Sequence, residues 1–168
     1  MDLTELVITA VIALVTGSGA TLLLTKWFEK REKRRDLFAN AYKAVLSWEE
    51  MLNRVRRRFD DKDDAKKIVL EFHSLQQDLN YYEGLISAES SRMGDSYAKL
   101  VQDIKSKNLD LINDAWKSKP VNPGQAVKNI NHPQTSDSKR LFLKDVRSWL
   151  SIIFIRKIAV VWRNRGAK

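Results

Sequence analysis

From Leu6 to Trp27 the chain runs for about 22 residues with Lys26 as its single charge. A helix rises about 1.5 Å per residue and a bilayer core is about 30 Å thick, so roughly 20 such residues reach across it. The stretch LVITAVIALVTGSGATLLLTKW therefore predicts a transmembrane helix. It is only moderately apolar, because Thr9, Thr16, Ser18, Thr21 and Thr25 interrupt it. Hydroxyls of this kind can bond back to carbonyls of their own helix, which makes them tolerable in lipid. The rival reading is a secretory signal peptide, which needs cations before the apolar run and a small-residue cleavage site after it. Here Asp2 and Glu5 precede the run and the cations follow it, which favours an anchor.

Those cations set the orientation. Residues 26–35, KWFEKREKRR, hold six basic side chains against two acidic ones. The positive-inside rule places this collar in the cytoplasm and Met1 outside, with Trp27 and Phe28 at the interface. The expected location is the cell (inner) membrane, crossed once. Net charge is +9 and is concentrated at the collar and at residues 138–168, where nine basic residues face Asp145 alone. Each cation near an anionic surface is worth about 1 kcal/mol, so anionic lipids are the expected partner. Basic helices are also a nucleic-acid footprint, but an anchor already holds these near lipid, and nucleic acid is the weaker reading. The candidate interface residues are Lys26, Trp27, Lys30, Arg31, Arg34, Arg35, Trp149, Arg156, Lys157, Trp162 and Arg163.

Beyond the anchor the chain is charged, with mean hydropathy −0.40. Glycine and proline are absent from residue 20 to residue 83, so the first helix is expected to run on as a rod, over about residues 3–59. Leu37, Phe38, Ala41, Val45, Trp48, Met51, Leu52 and Val55 form its apolar stripe. Arg56, Arg57 and Arg58 suit its C-terminus, and Asp63 or Asp64 is the expected cap of the next helix. A second helix is expected over 65–87 (Ile68, Val69, Phe72, Leu75, Leu79, Tyr82, Ile86) and a third over 91–117, joined tightly enough to be antiparallel neighbours. Residues 118–137 read as a loop. A last helix, capped by Ser136 or Asp137, is expected over 138–164. It starts amphipathic and turns apolar, interrupted by Arg156 and Lys157. Three placements fit it: packed on the bundle, lying in the inner-leaflet interface, or, least well, a second span.

The expectation is thus an all-α protein: a single N-terminal transmembrane helix (1–28) continuing into a cytoplasmic antiparallel helical bundle of three to four helices (29–117), a loop (118–137) and a basic amphipathic C-terminal helix (138–168). Catalysis finds no foothold. There is no cysteine, and His73 and His132 stand apart without metal-ligand spacing. The acids of residues 60–64 lack the glycine and closing glutamate of a calcium loop. No catalytic, metal or cofactor residue is assigned, and a non-enzymatic role is expected. Arg54 and Arg56 to Arg58 are expected to pair with nearby acids. In the anchor, Ala13, Gly17 and Thr21 repeat every four residues, a small-residue face that lets helices from separate copies associate. A homo-oligomer with a further, unidentified protein partner follows as an expectation.

The order of features resembles a group of uncharacterised single-pass membrane proteins, largely of actinobacteria and their phages. The likeness lies in AYKAVLSWEEMLNRVRRR, in the LQQDLNYY of residues 75–82, in Ala115, Trp116 and Pro120, and in the basic tryptophan-containing C-terminus. This chain is richer in Lys, Asn and Ile. The resemblance implies a small anchored helical protein and brings no activity. An interaction or scaffold protein is the leading expectation. Its alternatives are a membrane-perturbing effector in phage exclusion or host defence, and a sensor of a small anionic ligand.

Overall fold

The structure, a computed structural model, describes residues 18–122 and 135–151. Among these the chain is all-helical: α1 (Ser18–Arg56), α2 (Lys62–Glu89), α3 (Ser91–Lys117) and α4 (Ser136–Trp149). The chain divides into two compact units, Met1–Asp36 and Leu37–Lys168, and α1 contributes to both. No helix among the described residues is long and apolar enough to cross a membrane. Most of the expected anchor, including Ala13 and Gly17, lies outside the described residues.

The second unit is a helical bundle whose core is the stripe read from the sequence. Phe38, Ala41, Val45, Trp48, Met51, Leu52 and Val55 of α1 are all buried. They meet Ile68, Leu79 and Ile86 of α2, and Met93, Tyr97, Leu100 and Ile104 of α3. Each such apolar side chain, fully buried, gains about 1.5–3 kcal/mol over exposure, so the stripe supplies most of the drive to assemble. Val69 departs from expectation: it is 44% exposed, at the edge of the α2 stripe.

Contacts between the helices fix their directions. Arg54 reaches Asp64 and Trp48 meets Phe72, so α2 runs back along α1. Tyr97 donates to the Ala41 carbonyl and Arg58 to that of Ala115, so α3 runs parallel to α1. Ser96 bonds Asp145 and Ser138 bonds Asp103, so α4 returns along α3. Within this unit Leu37, the Ser90 joint and Ser151 therefore lie toward one end, and residues 57–61 and 118–121 toward the other.

Local chemistry explains the joints. Asp61, not Asp63 or Asp64, caps α2: its side chain accepts from the Asp63 N–H at 3.0 Å. Asp64 has a different task, accepting from Arg54 (2.6 Å) and from the Phe59 N–H (2.9 Å). Between α2 and α3 one residue serves both ends. The Ser90 N–H donates to the Ile86 carbonyl, and its hydroxyl accepts from the Met93 N–H. Helix α3 keeps its expected bounds. Helix α4 does not: it begins at Ser136 after Thr135 and ends at Trp149, with Leu150 as its cap, instead of spanning 138–164. Residues 152–168 lie outside the described residues. Thr135 makes no capping bond because its hydroxyl is given to Glu49 at 2.8 Å. The expected loop also gains some order at its start, where Val121 donates to the Arg58 carbonyl and bridges Phe59 in parallel.

Candidate functional site

In the first unit the collar forms part of α1, and Lys26, Lys30, Arg31 and Arg35 are exposed there. Trp27 and Arg34 are partly covered. Trp27 meets Phe28 edge-to-face at 5.1 Å, and Arg31 lies over the Trp27 ring at 5.7 Å. Stacking of a guanidinium on indole holds the cation beside an apolar surface, a combination suited to a headgroup boundary. Arg35 pairs weakly with Glu32 (3.4 Å) and Asp36 (3.9 Å). Leu22 and Leu24, just before the collar, and Phe28 within it are 61%, 57% and 54% exposed. Thr21 is exposed too, and Thr25 gives its hydroxyl to the Thr21 carbonyl at 2.9 Å, the back-bonding that lets a hydroxyl sit in an apolar helix.

The other interface candidates separate. Trp149 is half-buried and packs against the bundle core, together with Val146 and Leu150. Arg156, Lys157, Trp162 and Arg163 lie outside the described residues, as does His132. His73 is exposed on α2.

The arginines after the α1 stripe have two fates. Arg54 pairs with Asp64 and, more loosely, Glu71 (3.6 Å), while Arg57 lies 3.8 Å from Glu50. These fit the expected pairing with acids. The Arg54 guanidinium, helped by the Phe59 N–H, holds the Asp64 carboxyl below the usual carboxylate range. Arg54, Glu71, Arg57 and Glu50, with Ser47, Met51 and Leu75, line a shallow groove of about 380 Å³ between α1 and α2. Its cations are matched by acids, so it has no net pull on a small anion.

Arg58 corrects the expectation of acid pairing. It is buried, and its guanidinium donates to the carbonyls of Val55, Ala115, Trp116 and Ser118 while lying 5.3 Å from the Trp116 ring. The last carbonyls of a helix have no intrahelical donor and carry the negative end of its dipole. A guanidinium with five N–H groups suits that cluster as well as a carboxylate does.

A polar seam joins α4 to the bundle, and sequence reasoning missed most of it. Glu49 is buried and accepts from Thr135 and Lys139. Asp145 is fully buried and accepts from Ser96 at 2.8 Å. Asp103 accepts from Ser138 and Lys107. Burial pushes the Asp103 carboxyl up, but these donors outweigh it and hold it below its ordinary value. One signal was readable. Ser138, Phe142, Asp145 and Trp149 fall on one helical face, so the single acid of residues 138–168 stands in an apolar stripe.

Among the described residues no group of His, Cys, Asp or Glu is placed to hold a metal ion. The seam's hydroxyls bond its carboxylates across helices. No protein-family model, curated protein or solved structure matches the chain.

Proposed function

We propose that this protein is a membrane-anchored, non-enzymatic scaffold. An N-terminal span (1–28) holds it in the cell membrane, and the helical bundle of 37–151 faces the cytoplasm. One observation carries the reading: Leu22, Leu24 and Phe28 are exposed apolar side chains, and a collar of six cations and two acids begins at Lys26. Lipid tails would cover the former and anionic headgroups would neutralise the latter. The span brings copies together through Ala13, Gly17 and Thr21, and the bundle is what the assembled anchors display to a protein partner. Buried Glu49, Arg58, Ser96, Thr135 and Asp145 spend polar atoms on the bundle's own joints, which suits a rigid platform.

The test needs no removal of native thiols, since the chain has no cysteine. In cells, alkaline carbonate should leave the full chain in the membrane pellet, and a chain lacking residues 6–25 should be released. Thr4→Cys should react with an impermeant maleimide from outside, and Lys119→Cys only after lysis. Recovery of the full chain in the soluble fraction would sink the anchor. Crosslinked oligomers that survive Gly17→Leu would remove the small-residue interface but not the anchor.

A further inference from the structure

Two glycines of the α2–α3 pair are used in opposite ways. The fold requires Gly94, because a Cβ there would collide with the Ser87 side chain. It does not require Gly84, where a Cβ would meet nothing within 4 Å. A glycine inside a helix costs about 1 kcal/mol against alanine, and at Gly84 no packing offsets it. Its bare backbone leaves a shallow hollow of about 330 Å³, lined by Asn80, Glu83, Gly84 and Ser87.

Beside the hollow stands a braced aromatic. Tyr81 is 59% exposed, and its ring meets Tyr82 edge-to-face at 5.3 Å. Tyr82 in turn packs on the core, so the bundle holds the exposed ring in place. Leu70, Gln77, Tyr81, Gly84, Leu85 and Ala88 recur at spacings of three, four and seven, which puts them on one side of α2. All six are exposed and none is charged, over a strip about 27 Å long.

The charge around this strip is the reverse of the chain's. Net charge is +9, yet residues 68–91 hold Glu71, Asp78, Glu83 and Glu89 and no lysine or arginine. Glu71 lies on the edge toward α1, where it reaches Arg54, and Asp78 and Glu89 follow on that edge by helical spacing. Glu83 lies on the edge toward α3, where it acts on Tyr97 and Lys105. Neighbouring cations do not cancel the acids. Arg54 is shared between Asp64 and Glu71, and Lys105 answers Glu83 alone.

We infer that the outward face of α2 is a docking surface for a basic amphipathic helix of a partner protein. The inference rests on the scaffold reading and supplies the partner's chemistry. The apolar ridge of such a helix lies along Leu70, Tyr81 and Leu85, one of its side chains enters the hollow at Gly84, and its cations face the acids on the two edges. Tyrosine is among the residues that carry most of the binding energy at protein interfaces. A second copy suits the face badly, because α2 against α2 brings the acids of both together.

The chain has no cysteine, so a benzophenone can be placed on Gln77→Cys, within the face, or on Gln102→Cys, exposed on α3. The full chain, in phosphatidylcholine nanodiscs, is offered a peptide of about 18 residues with leucines on one helical face and lysines on the other, long enough to cover the strip. Crosslinking at 77, little at 102, and none to a leucine/glutamate counterpart is expected. Asp78→Asn with Glu83→Gln should weaken binding about fivefold at low salt, the effect of two exposed ion pairs. Gly84→Gln has open space for its side chain, so it should leave the melting temperature undiminished while weakening binding about tenfold by filling the hollow. Equal crosslinking at 77 and 102, or to both peptides, overturns the docking face. Binding indifferent to Gly84→Gln overturns the fit to the hollow. Adducts between two copies at 77 without peptide give the face to a second copy and overturn the partner reading. Entry into nanodiscs reports on the anchor separately: a chain that stays outside them fails the anchor, and crosslinking is then read in solution.

Discussion

Arg58 sits among carbonyl oxygens at the end of α3, with both terminal nitrogens donating. Its removal leaves several buried acceptors without a donor, each costing about 1–3 kcal/mol. Arg58→Ala is therefore expected to lower unfolding stability by about 3 kcal/mol in urea titration. Arg58→Lys should recover only part of this, because an ammonium lacks the planar fork. Two glycines make a sharper comparison. A Cβ at Gly84 meets nothing within 4 Å, whereas one at Gly94 collides with the Ser87 side chain and lies 3.0 Å from its Cα. Gly84→Ala should thus raise stability by about 1 kcal/mol through helix propensity, and Gly94→Ala should lower the melting temperature. Asp64 supplies an acid dependence. Its carboxyl titrates below its unfolded value, so its contribution is complete above about pH 4 and is lost as pH falls through the lowered value. Asp103 acts in the same direction. Asp64→Asn should flatten, without abolishing, the loss of stability between pH ~7 and ~2 in urea midpoints. At this scale sequence was a partial guide. It paired Arg54 and Arg57 with acids correctly, since the partners lie one or two turns away or across a short turn. It missed Arg58, whose acceptors are backbone atoms, three of them 57 to 60 residues distant, and leave no mark on composition.

Among the elements, α3 was legible to its bounds because a serine precedes it and Pro120 follows it closely. Helix α1 was legible through its stripe, and its C-terminal end came within a few residues. Helix α4 was read too long, because the apolar periodicity of its sequence continues past the place where Leu150 caps it. It is also held differently from the others. Phe142 is its one fully buried apolar side chain, flanked by Tyr42 and Tyr97, and the rest of its hold is the polar seam and the partly buried Val146 and Trp149. Elements with little buried apolar area open at lower free energy than the core. Amide exchange should therefore be faster in α4 than in α3. Phe142→Ala, a truncation worth about 3–5 kcal/mol in a core, should raise α4 exchange further while sparing amides of the α2–α3 pair. Uniform acceleration across all helices would show that α4 does not open by itself.

At the scale of the molecule, the all-helical character of the described residues and their bundle were legible, because those follow from periodicity and from the scarcity of breakers. Its seam was not legible, because a buried Glu49 and a surface glutamate look alike in a helical pattern until a partner helix is placed. The joint at Ser90 has a consequence for how the chain reaches this state. With one residue between them, α2 and α3 need almost no loop closure to meet, whereas α4 must close a connection of about 18 residues. Contacts near in sequence cost less loop-closure entropy, so the α2–α3 pair is expected in the folding transition state and α4 is expected to dock after it. Truncation of Ile86 or Met93 should accordingly slow refolding. Truncation of Phe142 should leave the refolding rate almost unchanged and speed unfolding instead, so that the two arms of a chevron plot report the order of assembly.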